Sequence, residues 1–316
     1  MQKRNVINLA LAGLVTVLAL AVLLAPEDES PPKPPLTPLK QSDIERLEIT
    51  RPRQPGVVLV REDGAWFLEE PWPVWANAFK VESLLRLAET PSLARYEMKD
   101  LDPARFGLDA PLATVNFNDS VTLEFGNSEP VNQRRYVRAG DTLHLITDTF
   151  YWQLGAKAHT FVGHGLVPPN AAVTGLELPG LRLSLEKGAW QVTPAPGEAA
   201  ADRAQALVDE WKNAQALEVR PVDKADPRGG RAVTVHLEGA PVIRYRLVQD
   251  EDRDEVRLVR PDLGLAWVLA AEPAERLLKL PPPPKAPQGE GDGTPAAKEQ
   301  TDDTVQESGD AGSRHN

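Results

Sequence analysis

Histidine is the residue most used to move protons or hold metals, and this 316-residue chain has five. His159 and His164, in "AHTFVGHG", are five apart. A helical ligand pair needs a spacing of four, and Gly163 and Gly165 argue against a helix, so no metal site is expected there. His144 and His236 alternate with apolar residues, as solvent-face positions of strands do, and His315 lies near the C-terminus. Ser92, Ser120, Ser128 and Ser184 stand in neither a G-x-S-x-G nor an S-x-x-K context, so no serine nucleophile is read. Gly229-Gly230 leads into a strand where a phosphate cradle would need a helix. Neighbouring carboxylates such as Glu69-Glu70 and Asp250-Glu251-Asp252 fall at turns and strand edges, where solvation explains them. A glycosidase pair would have to face each other across a cleft. The absence of cysteine excludes disulfides, thiol catalysis and thiolate metal sites. No catalytic residue, cofactor or metal is assigned.

Tryptophan offers a different chemistry, that of recognition. Trp66 and Trp190 each begin a strand just after a turn, in "DGAWFLEEP" and "KGAWQVTPA", where a large ring closes the end of a core. Trp72 and Trp75, in "PWPVWAN", are the candidate partner-binding residues, because the matched loop "PAPGEAAA" has no aromatic. Exposed, they would anchor a partner, since tryptophan is favoured at binding hot spots. Alternatively Trp75 folds over the following helix N-terminus as a hydrophobic staple.

The elements that position these residues follow from periodicity. From Ile44, "IERLEIT", "VVLVRE" and "AWFLE" alternate as strands, with Asp63-Gly64 as a hairpin turn. Residues 77–90 form an amphipathic helix with Val81, Leu84, Leu85 and Ala88 on one face. The strand "LARYE" and a single helical turn at "DPARFG" come next. Four more strands, "ATVNF", "VTLEF", "RRYVR" and "TLHLIT", are joined at Asn118-Asp119, around Gly126-Asn127 and at Gly140-Asp141, and "DTFYWQLG" closes the unit. The second half repeats this script, with "ADRAQALVDEWKNAQA" as its helix. Trp190 lies 124 residues after Trp66, and Asp226-Pro227 lies 124 after Asp102-Pro103, so an internal duplication is expected. The fold class is α+β: two tandem, internally duplicated units, 44–164 and 165–280, each an antiparallel-rich sheet with one long helix, behind a single N-terminal transmembrane helix.

The ends set location. Val6 to Ala25 is a 20-residue run without charge, preceded by Lys3 and Arg4. About 20 helical residues cross a hydrocarbon core of ~30 Å. The basic flank puts the N-terminus in the cytoplasm and the body outside, in the periplasm, tied to the inner membrane. A signal peptide cleaved near Ala19-Leu20-Ala21 is the rival reading, and it too exports the body. Residues 26–43 read as a proline-rich extended linker and residues 281–316 as a disordered acidic tail. The net charge of -11 argues against nucleic acid as a partner.

The residues Trp66, Leu68, Pro71, Phe106-Gly107-Leu108-Asp109, Pro111, Gly126 and Tyr136 are those on which the sequence resembles a bacterial envelope family, domain of unknown function 4340. The second half carries the resemblance more weakly, keeping Trp190 and Asp226-Pro227 but lacking "FGLDAP". The resemblance implies one N-terminal membrane helix and proximity to ABC-type transport components of a gliding-motility kind. It implies no chemistry. The expected function is therefore non-enzymatic: an interaction or accessory component of an envelope complex. The alternatives are a ligand-binding module using the junction between units, and an envelope hydrolase working with two carboxylates.

Overall fold

A computed structural model describes residues 13–16, 20, 33–194, 200–222, 229–250 and 254–282. The expected membrane run lies outside the described residues except for 13–16 and 20, as do residues 195–199, Asp226-Pro227, Glu251-Asp252 and the tail from residue 283. Among the described residues no helix is long and apolar enough to cross a membrane.

The fold is mostly antiparallel sheet with few helices, as α+β predicts. The strands of the first half are β1 (Arg46–Thr50), β2 (Val57–Glu62), β3 (Ala65–Glu70), β4 (Val74–Trp75), β5 (Ala94–Glu97), β6 (Ala113–Phe117), β7 (Val121–Ser128), β8 (Arg134–Ala139) and β9 (Thr142–Thr147), with helices α1 (Ala78–Leu85) and α2 (Tyr151–Leu154). The second half has β10 (Val173–Leu178), β11 (Leu181–Glu186), β12 (Ala189–Thr193), β13 (Glu218–Pro221), β14 (Arg231–Leu237), β15 (Ala240–Asp250), β16 (Glu255–Arg260) and β17 (Leu265–Ala270), with α3 (Ala200–Asn213) and α4 (Ala271–Arg276). The first sheet runs β4-β3-β2-β1-β6-β7-β8-β9-β5 and the second β12-β11-β10-β14-β15-β16-β17-β13, the same succession but for β4. Both sheets fall within one compact unit that ends at Pro281. The boundary expected at 164/165 thus lies inside a connector between packed sheets.

Local chemistry explains most of the pattern. Asp63-Gly64 (φ 48° and 79°) and Lys187-Gly188 (φ 50° and 81°) turn their hairpins with both residues at positive φ, the geometry whose twist matches paired strands. Asn77 caps α1 by accepting from the Lys80 amide at 3.2 Å, and the helix buries Val81, Leu84 and Leu85. Helix α3 buries Ala204, Leu207, Val208 and Trp211, whose indole N–H donates to the Leu277 carbonyl at 2.9 Å.

Three expectations need correction. The helix expected over 77–90 stops at Leu85, because Leu87 and Ala88 bond three residues back. The carbonyls of Ala88 and Thr90 instead accept from Thr37 and Leu36, at 3.0 and 2.8 Å. This corrects the linker too: Leu36 and Thr37 are buried and Arg95 donates to the Pro35 carbonyl at 2.6 Å, so residues 34–39 form a strap docked on the first half. Finally, Gly126-Asn127 is no turn but part of β7, where the ladder slips against β8. A Cβ on Gly126 would collide with the Phe106 carbonyl, so glycine there admits the "FGLDAP" segment onto the sheet.

Candidate functional site

The seam between the sheets is built by three aromatic side chains on one connector. Trp75 packs on Trp267 (centroids 5.7 Å apart), and Trp267 meets Tyr245 edge-on at 5.8 Å. Each presents a polar tip to a connector carbonyl: Trp267 Nε1 to Gly163 (2.9 Å), Trp75 Nε1 to Gly165 (3.1 Å) and the Tyr245 hydroxyl to Leu166 (2.6 Å). Burial pushes the Tyr245 pKa up, so this hydroxyl stays a donor. The connector is also bonded from both sides by backbone, Gly163 N to Trp75 O at 2.9 Å and Ala216 N to His164 O at 2.8 Å. A side chain on Gly163 would strike the Trp75 ring.

Trp75 is therefore 4% exposed and holds the seam; it is not a partner anchor. Trp72 is half-buried against the same core, so the expected pair of exposed tryptophans does not form. Of the two strand-opening tryptophans, Trp66 is buried, whereas Trp190 is half-buried with its indole donating to Gln205 at 2.8 Å.

A cavity of about 450 Å³ opens beside the seam, lined among others by Trp75, Asn77, His164, Pro168, Lys212 and Gln215. His164 Nδ1 lies 3.1 Å from the Ala216 carbonyl, so that nitrogen is the donor of this bond. The described lining of this cavity carries no carboxylate.

Sequence reading missed a serine–histidine contact 52 residues apart. Ser92 Oγ lies 2.9 Å from His144 Nδ1 and 3.1 Å from the Ala94 carbonyl. Donation of the hydroxyl to Ala94 makes Oγ the acceptor from Nδ1–H, the reverse of what a general base needs. His144, expected on a solvent face, is buried with Ser92 at 4% exposure each. Burial first, and then the Arg95 guanidinium, lower its pKa from 6.5 to about 4. This is a structural pair.

Two surface features remain. The first is the free side of β12. In its hairpin Ala189, Gln191 and Thr193 bond β11, so the amides and carbonyls of Trp190 and Val192 point outward. At the matched place in the first sheet β4 covers β3, and Ala76 donates to the Trp66 carbonyl at 2.8 Å. No described strand pairs with β12 on that side, and residues 195–199, at the place of β4, lie outside the described residues. Edges β5 ("ARYE") and β13 ("EVRP") carry charges, and β4 is tied to the connector through Ala76 and Val162; β12 ("AWQVT") carries no charge and lies against α3.

The second is an aromatic face. Trp152 is 84% exposed, Phe79 75% and Tyr151 45%. Phe79 and Trp152 flank a hollow of about 270 Å³ floored by Ala156 and Phe161. The face is held firmly from below. Arg135, paired with Asp148, stacks on Tyr151 at 4.8 Å, and Tyr151 meets Trp152 edge-on at 5.3 Å. Buried Arg51 donates to the carbonyls of Leu154, Ala156 and Pro55, fixing the loop that follows α2.

These features define an antiparallel two-sheet α+β protein. Residues 66–232 match the family model described as domain of unknown function (DUF4340), more than half of the chain, and the chain belongs to that family. No curated protein and no solved structure matches it. The family residues have packing roles: Phe106 meets Tyr136 edge-on at 5.0 Å, Gly126 admits the Phe106 carbonyl, and Trp66, Leu68 and Leu108 are buried.

Proposed function

We propose that the chain is a membrane-tethered protein of the periplasmic face that works by holding another envelope protein, without chemistry of its own. The uncharged run 6–25 supports the tether. The two sheets are copies of one duplicated unit, a reading supported by their shared strand order and by the 124-residue offset of Trp66 and Trp190. The partner class is an ABC-type transport complex, as the family resemblance implies.

The outer edge of β12, to which no described strand pairs, is the observation that carries this reading. Its outward backbone donors and acceptors at Trp190 and Val192 meet no described strand, so a partner adds an extended strand there. Val192→Pro removes one outward amide while leaving the bonds to β11 intact, a change that strand edges tolerate. The wild-type protein, purified from solubilised membranes, should carry an enriched membrane partner that the variant loses at unchanged melting temperature. Equal recovery with both proteins, or recovery of the chain alone, would overturn the proposal.

A second reading, ligand binding at the junction, is favoured by the 450 Å³ cavity with Asn77, His164, Lys212 and Gln215 at its wall. A cell-wall or lipid fragment that occupies it should raise the melting temperature of the wild type and not of Lys212→Ala. A screen with no such fragment would sink it.

A further inference from the structure

We infer that the aromatic face of Phe79, Tyr151 and Trp152 seats in the headgroup region of the bilayer that holds the N-terminal run. This rests on the tethered reading above and names a second contact for the body.

The composition of the face is interfacial. Tryptophan and tyrosine favour the membrane–water boundary, where an apolar ring and a polar tip each find their medium, and basic residues beside them meet anionic headgroups. Lys80 lines the hollow with Phe79 and Trp152. Lys157 follows the same loop, and both lysines act on His159, whose pKa is lowered by burial first and then by these two charges. Glu218, whose charge acts on His159 in the opposite sense, is paired with Arg220. The chain as a whole has a charge of -11. An anionic surface therefore repels most of the body and selects this basic rim.

The reach is right. Lys33, where the described body begins, lies eight residue steps after Ala25, a span of at most ~28 Å when extended. The strap then docks at Ala88 and Thr90, at the end of the segment whose first turn carries Phe79 and Lys80. Phe79 and Thr90 are 11 residues apart along a segment that is helical to Leu85 and closely turned beyond it, about 17 Å at a helical rise. The tether thus delivers the aromatic face to the membrane surface. The support from Arg135 and Arg51 means that little side-chain entropy is lost on contact.

The test uses the full chain reconstituted in vesicles of phosphatidylcholine and phosphatidylglycerol with brominated acyl chains. Flotation reports the tether, and quenching of tryptophan emission reports the face. The chain has seven tryptophans, so Trp152→Phe isolates the relevant one. The wild type should float and be quenched. Trp152→Phe should float and lose the larger part of the quenching, and Lys80→Glu with Lys157→Glu should reduce it while the urea midpoint stays unchanged. Flotation with identical quenching in wild type and Trp152→Phe overturns the inference and leaves the tether standing. Protection of Trp152 that requires a membrane protein in the vesicles overturns it in favour of a protein partner. Failure to float removes both.

Discussion

Trp75 and Trp72 stand three residues apart in one loop and do different work. The Trp75 ring is packed on Trp267 and its N–H fills the Gly165 carbonyl. Trp75→Ala leaves a large cavity and an orphaned acceptor, and should cost about 3–5 kcal/mol of unfolding free energy in urea titration. Trp72→Ala, at a half-buried site, should cost clearly less. Equal losses would mean that the seam is not where the stability lies. The difference between these residues was not legible in "PWPVWAN", because the partners of Trp75 are 90 and 192 residues further on. Periodicity reports which face of an element is buried; it does not say which distant aromatic will meet it. The same limit hid the Ser92–His144 contact, and alternation alone put His144 on the wrong side.

At the scale of elements, the strands and the α3 face were readable because each is specified by near neighbours: alternation, a turn pair, a cap. The segments that differ answer to another segment. The strap takes the carbonyls that would have prolonged α1, and the "FGLDAP" turn lies where β7 would otherwise have needed a side chain at 126. His144 lies in β9 against Ser92, beside β5, and its titration follows from its burial there. Unfolded, His144 binds its proton below its ordinary 6.5; folded, it refuses until about 4. The unfolded chain thus holds more protons in that window, so this contribution is complete above 6.5 and is lost as pH falls towards 4. The urea midpoint of the wild type should drop across that interval, and that of His144→Gln should drop less. Parallel curves would refute the assignment.

At the scale of the whole molecule, the sheets were expected as neighbouring units, and their common strand order made each easy to recognise. Their joining was not, since the connector between them reads as an ordinary loop. The family match begins at Trp66 and ends at residue 232. Yet β1, between β2 and β6 in the first sheet, precedes that span, and β15 to β17 follow it. Trp267 and Tyr245, which cap the connector carbonyls, lie beyond it as well. A fragment cut at the limits of sequence similarity would therefore lose two inner strands of one sheet, β1 and β2, and nearly half of the other. It would also leave the Trp75 ring bare. The smallest piece of this chain that can be handled as a protein is set by who holds whom across the seam, and it runs from the strap to α4.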